Sequence, residues 1–214
     1  DSLEKARGIT IFSKQALLTA GNTAITLLDT PGHVDFSTGT ERTLQVLDYA
    51  VLVVSGTDGV QSHTETLWRL LRRYHVPTFV FVNKMDLPGK SREELLAQLN
   101  HRLGEGFVAF DVPQADRDEA LALCDENLMD RMLDAGQLTD ADLIPAVARR
   151  HVFPCWFGSA LRRTEDDALE SVDALMDGID RYTRPAPALD AFGAKVFKVS
   201  HCLLYTSDAA DDGE

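Results

Sequence analysis

Apolar and polar positions alternate along this chain in two rhythms. Ala50 to Ser55 reads Ala-Val-Leu-Val-Val-Ser, Thr78 to Val82 reads Thr-Phe-Val-Phe-Val, and Val152 to Phe157 is a third such run. Short uninterrupted apolar runs mark strands covered on both faces, as in a parallel sheet. Nearer the start, Ile9 to Leu18 is rich in β-formers and Ala20-Gly21-Asn22-Thr23 reads as a turn. Ala24-Ile25-Thr26-Leu27-Leu28 then leads to Asp29, and together the pieces predict a hairpin. Helical spacing fills the intervals. Gln61 to Tyr74 places Leu67, Leu70 and Leu71 on one face. Ser91, with Glu94 three residues on, predicts a helix start with a capping box. Arg117 to Ala135, Thr139 to Arg150 and Ala168 to Tyr182 predict three more helices. Strands alternating with helices imply a doubly wound α/β sheet. Pro185-Ala186-Pro187 stops the last helix and closes a domain over residues 1–187. Phe192 to Ser200 opens a new strand-like segment.

Composition narrows the class. The 214 residues suffice for one sizeable domain, or one domain and the start of another, and 44% hydrophobic with 26% charged residues is a globular balance. No apolar run approaches the roughly 20 residues of a membrane span. The first residues show no signal-peptide pattern. A soluble, cytoplasmic protein with no membrane partner is expected. Cys124, Cys155 and Cys202 are scattered, with no C-x-x-C pair, which fits a reducing compartment. The six histidines form no metal-binding pattern. A net charge of −13 argues against a free-standing nucleic-acid binder, so no DNA partner is expected. Residues 202–214 carry four acids and no base; without them 30 acids face 21 bases, a balance of −9.

Ligands of open α/β sheets bind beyond the carboxyl ends of the strands, so the residues after each strand carry the chemistry. Asp29-Thr30-Pro31-Gly32-His33 follows the hairpin's second strand. A carboxylate there can hold Mg²⁺, and Gly32 would let a backbone N–H approach a terminal phosphate. A strand end followed by a Pro-Gly turn would read the same. Asn83-Lys84-Met85-Asp86 follows the Thr78 strand, about fifty residues after Asp29. An Asp that accepts both the ring N–H and the exocyclic amine of guanine rejects adenine, which lacks that donor pair. Asn83 can bond the base edge and the loop, while the stem of Lys84 covers the ring. Gly158-Ser159-Ala160-Leu161 follows the third buried strand, where small residues let backbone N–H groups reach a base carbonyl. A simple tight turn is the alternative. Near the start, Arg7-Gly8-Ile9-Thr10-Ile11 offers a Thr10 hydroxyl that can complete Mg²⁺ coordination.

In this order and spacing, R-G-I-T-I, D-T-P-G-H-V-D-F, G-T-D-G-V-Q, N-K-M-D and G-S-A-L resemble the GTPase domain of the elongation factor G superfamily, over roughly residues 1 to 200. Within it, Glu41 to Asp48 and Phe153 to Leu161 look most like the ribosomal protection proteins of tetracycline resistance, with elongation factor G and peptide chain release factor 3 as near alternatives. The resemblance implies a P-loop-type GTPase that takes GTP and Mg²⁺ and works on the ribosome. Thr10 and Asp29 match its metal-side ligands, Gly32 its γ-phosphate sensor, and His33 the catalytic histidine that positions the attacking water, with Ile9 an apolar gate beside it. Asn83, Lys84 and Asp86 match guanine specificity, and Ser159, Ala160 and Leu161 match the base-supporting loop. His63, His75, His101 and His151 have no such context and are expected on the surface. An adenine-nucleotide enzyme is disfavoured by Asp86. A fragment that merely offers an interaction surface is the other alternative.

The family's phosphate loop, G-x-x-x-x-G-K-[ST], is absent from these residues. In the family it lies on a first strand in the middle of the sheet, beside the Ala24 and Ala50 strands. Weak GTP binding and two exposed apolar strand edges are therefore expected, leaving the polypeptide inactive and poorly folded. Lys195 to Val199 suits the opening strand of the family's second domain, a β-barrel, over residues 188–201. Residues 202–214 read as an adaptor-derived tail that matches nothing in the family.

Overall fold

The computed structural model describes residues 14–30, 42–161 and 172–185. Thr10, Gly32 and His33 lie outside them, as do the expected barrel strand and tail. The predicted hairpin is present as β1 (Lys14–Ala20) and β2 (Thr23–Asp29), joined by a turn in which Gly21 takes φ +52. The three apolar runs form β3 (Ala50–Ser55), β4 (Thr78–Asn83) and β6 (Phe153–Phe157). The sheet also includes β5 (Phe107–Ala109), three residues too short for the apolar pattern to reveal. All four strands run parallel in the order β3-β4-β6-β5. The doubly wound α/β expectation is borne out.

Side-chain alternation sorts the core into two halves. Leu52, Val54, Val80, Val82, Cys155 and Phe157 face α1 (Ser62–Arg73) and α2 (Arg92–Leu103). On α1, Trp68 and Leu71 are buried, with Leu67 and Leu70 packed partly against them. Trp68 Nε1 donates to Leu103 O at 2.6 Å, which ties the two helices together. Phe79, Phe81, Val108 and Trp156 point the other way. That face meets α3 (Gln114–Ala122), α4 (Glu126–Ala135), α5 (Asp140–Ala148) and α6 (Val172–Tyr182).

The single helix expected over Arg117 to Ala135 is two helices, α3 and α4. Asp125 is the cause. Its carboxylate accepts from Asn127 N at 2.8 Å and Leu128 N at 3.2 Å, capping a new helix instead of continuing the old one. The same carboxylate meets His151 Nδ1. The Ser91 capping box forms as expected. At the foot of the sheet, Arg150 lies over the rings of Trp68 and Phe153 and donates to Val76 O. Burial, with Arg72 adding, lowers its pKa to about 10, so it remains charged at neutral pH.

Among the described residues, β3 pairs with β4 alone, and β1–β2 form a separate sheet. By register Val51 and Val53 share the face of Phe79 and Phe81. Yet they are 38% and 59% exposed while both phenylalanines are buried; on the hairpin Leu17 and Leu27 are 79% and 46% exposed. This second face of β3 is only partly covered among these residues. The hairpin is tied to the rest at its turn, where Asp180 Oδ1 accepts from Asn22 N at 3.1 Å and Thr23 Oγ1 at 2.6 Å.

Candidate functional site

Three loops leave the carboxyl ends of β3, β4 and β6 side by side. Asn83 ends β4, and its Oδ1 accepts from two backbone amides: Lys84 N at 2.8 Å in its own loop and Ala160 N at 2.9 Å in the loop after β6. Met85 N donates to Gly158 O at 3.1 Å, and Gly158 N to Val82 O at 2.9 Å. The Asn83–Asp86 and Gly158–Leu161 segments are thus one unit. Lys84 sits at φ +68, a left-handed conformation that costs a non-glycine residue about 1–2 kcal/mol. The bond from its amide to Asn83 offsets that cost. Asp86 is exposed at the mouth, and Leu161 is 95% exposed beside it.

The loop after β3 packs against the same unit. Gly56 N donates to Asn83 O at 2.7 Å. A Cβ on Gly89 would come within 2.9 Å of Gly56 O and Thr57 Cα, so only glycine permits this approach. Asp58 accepts from Ser55 Oγ at 2.8 Å and Thr57 Oγ1 at 3.1 Å. Those hydroxyls hold its carboxyl below the usual range, with Lys84 and Lys90 adding to the effect. Gly89-Lys90-Ser91 repeats the last three letters of a phosphate-loop pattern before a helix, but Lys84 stands where that pattern needs its first glycine. Lys90 Nζ donates to Asp58 O at 3.1 Å, and Ser91 accepts from Glu94 N as a cap. The run is structural.

Asp29, the remaining described candidate, ends β2 on the separate hairpin, exposed. It is about 20 Å of extended strand from the end pinned by Asp180. The structure therefore brings Asn83, Lys84, Asp86, Ser159, Ala160 and Leu161 together and leaves Asp29 on another element. No group of three or more His, Cys, Asp or Glu that could hold a metal ion is found among the described residues. A cavity of about 500 Å³ between α3, α5 and α6 is elsewhere, and its arginines are committed, Arg117 to Asp118 and Arg181 to Asp140. Of the histidines expected on the surface, His75, His101 and His151 are exposed. His63 is not: both ring nitrogens are enclosed, with no hydrogen-bond partner among the described residues. Its place on the inward side of the first turn of α1 is not visible in a local pattern.

One residue behind the site carried no sequence signal. Asp111, in the loop after β5, accepts from Phe157 N at 3.0 Å and pairs with Arg92 at the start of α2. Burial pushes its carboxyl up, against the opposing pull of Arg92.

A parallel sheet with helices on both faces and polar loops gathered at the strand ends defines a doubly wound α/β domain, whose ligand side lies at those loops. The model of the elongation factor Tu GTP binding domain matches residues 1–185, and the chain belongs to that family. It is 38% identical over 178 residues to the tetracycline resistance protein TetM of Streptomyces lividans, covering 74% of this chain and 28% of that protein. It is 38% identical over 203 residues to the oxytetracycline resistance protein of Streptomyces rimosus, covering 83% and 30%. Against elongation factor G of Mycoplasma pneumoniae it is 46% identical over 110 residues, covering 51% and 16%. The chain thus spans less than a third of the length of these relatives. A solved structure from Thermus thermophilus shares the fold, with a TM-score of 0.67 at 22% identity over 87% of this chain and 34% of that one. Among the described residues no helix is long and apolar enough to cross a membrane.

Proposed function

We propose that this chain is the guanine-recognising part of a GTP-hydrolysing translation factor that works on the ribosome, of the ribosomal protection or elongation factor G type. The observation that carries the reading is the Asn83 carboxamide, which holds the loop bearing Asp86 against the loop bearing Ala160. In this reading Asp86 accepts the ring N–H and exocyclic amine of guanine, while the stem of Lys84 lies along the ring. Ser159, Ala160 and Leu161 turn backbone N–H groups toward the base carbonyl. Adenine offers Asp86 no matching pair of donors, so the site selects the base by leaving the wrong one unpaired.

At the phosphate end, Thr10 and Asp29 are the residues proposed to hold Mg²⁺, Gly32 to meet the terminal phosphate and His33 to orient the attacking water. Bound metal supplies charge neutralisation on the transferring phosphoryl group. Because that transition state is loose, His33 serves by orientation rather than by early proton removal. Contact with the large ribosomal subunit, its RNA and proteins, is proposed for the full-length protein. No complete G-x-x-x-x-G-K-[ST] run occurs in these residues, so we take the chain alone to hold the base weakly without turning GTP over. A release factor 3-like role is the alternative within the same family.

The reading is tested by titrating the chain with GMP and with AMP while following backbone amide resonances. GMP is expected to shift Lys84, Asp86, Ser159 and Ala160 saturably, and AMP to leave them in place. Equal shifts from both nucleotides, or none from either, would sink it.

A further inference from the structure

The two base-recognition loops are joined in front by Asn83 and behind by a second connection. Behind, the Asp111 side chain is fully buried, and its Oδ2 accepts from Phe157 N at 3.0 Å. Phe157 is the last residue of β6, immediately before Gly158. Arg92, the first residue of α2, meets the same carboxylate and places its guanidinium 5.0 Å from the centre of the Phe157 ring. The chain reaches Arg92 from β4 through Asn83–Asp86, so the contacts close a circuit. It runs from Asn83 across to Ala160, back along Gly158 to Phe157, through Asp111 to Arg92, and along the loop to Asp86.

We infer that the Arg92–Asp111 pair is a positioning device for guanine recognition, fixing the Gly158–Leu161 loop against the Asn83–Asp86 loop before any nucleotide arrives. The inference rests on the proposed guanine reading. Three physical points support it. β5 ends at Ala109, and after Phe110 N donates to Cys155 O at 2.9 Å the backbone ladder stops. Phe157 N then has no strand partner on that side, and the Asp111 carboxylate substitutes for one. Second, one Asp111 oxygen is buried without a hydrogen-bond partner among the described residues, and burial raises the carboxyl's pKa. A packed apolar residue would avoid that penalty, so the pair is a poor device for stability alone. Third, the carboxylate's bond to Phe157 N lands on the residue that launches the base loop. Preorganised loops bind more tightly because less order is lost on binding.

The test uses the whole chain with Asp111→Leu, Asp111→Asn and Arg92→Lys, each read in two ways. Amide hydrogen exchange without nucleotide is expected to quicken about tenfold at Gly158 and Ala160 in Asp111→Leu while the α1 amides keep their rates. Asp111→Asn, which still offers Phe157 N an acceptor, is expected to give a smaller change. GMP affinity is expected to fall by about tenfold in Asp111→Leu, the weight of one buried hydrogen bond to a charged group, with Arg92→Lys retaining most of it. Unchanged exchange at Gly158 and Ala160 overturns the proposal. Quickened exchange with unchanged GMP affinity overturns its functional half. If Asp111→Leu does not fold, Arg92→Leu, which removes the pair from its other side, takes its place in both readouts with the same expected and overturning results. A wild-type chain that does not prefer GMP over AMP refutes guanine recognition instead, and with it the functional half, while the exchange rates still judge the brace.

Discussion

Single side chains decide what the strand-end loops can recognise. Asp86→Asn replaces an acceptor pair with an amide that both accepts and donates. GMP affinity is expected to fall by at least about tenfold, and XMP, whose base carries a carbonyl in place of the exocyclic amine, is expected to gain. Competition between the two nucleotides on the variant checks this; an unchanged preference would remove Asp86 from the site. The meeting of two loops was legible in advance. Asn83, Lys84, Asp86 and Ser159–Leu161 were marked by type and by position after buried strands, and the loops that carry them do meet. Asp111 and His63 were not legible. A lone acid in a loop and a histidine in a helix have no periodic signature, and what they touch depends on tertiary packing.

At the level of elements, chemistry at segment ends matters as much as periodicity. Three of the four apolar runs of the sheet were readable, whereas β5 is too short for its alternation to register. The Arg117–Ala135 pattern hid a break because both halves are helical in propensity and only the Asp125 carboxylate separates them. Asp125→Ala is expected to cost about 1 kcal/mol, lowering Tm by roughly 2–4 °C. Although burial opposes ionisation, bonds from His151 and the Leu128 and Asn127 amides hold this carboxyl below the usual range. A depressed folded pKa contributes stability above the unfolded value and loses it as pH falls through the folded one. The gap in Tm between wild type and Asp125→Ala should therefore close in acid; a constant gap would show that the charge is irrelevant. On α6, Gly178→Ala sets two effects in opposition. Alanine gains about 1 kcal/mol of helix propensity, but its Cβ would lie 2.3 Å from the Trp156 ring. Overpacking costs about 1–3 kcal/mol, so net destabilisation is expected in urea melts.

Over the described residues, a doubly wound sheet and a separate hairpin have unevenly covered apolar surfaces. The order of the sheet's strands was not legible, because buried runs look alike whichever neighbours they take. Val51 and Val53 leave part of one face of β3 exposed. Such a surface recruits other chains. Val53→Lys is expected to reduce concentration-dependent light scattering while leaving the circular dichroism spectrum intact; scattering that does not change would place the sticky surface elsewhere.

Cys155 lies in the middle of that sheet, wholly enclosed between β4 and β5, and burial pushes its thiol well above the ordinary range. Such a sulfur reacts with an alkylating reagent only after the strands part. Its modification, resolved by peptide mass from those of Cys124 and Cys202, is therefore a built-in clock for global opening, ticking at a rate set by the population of the unfolded chain.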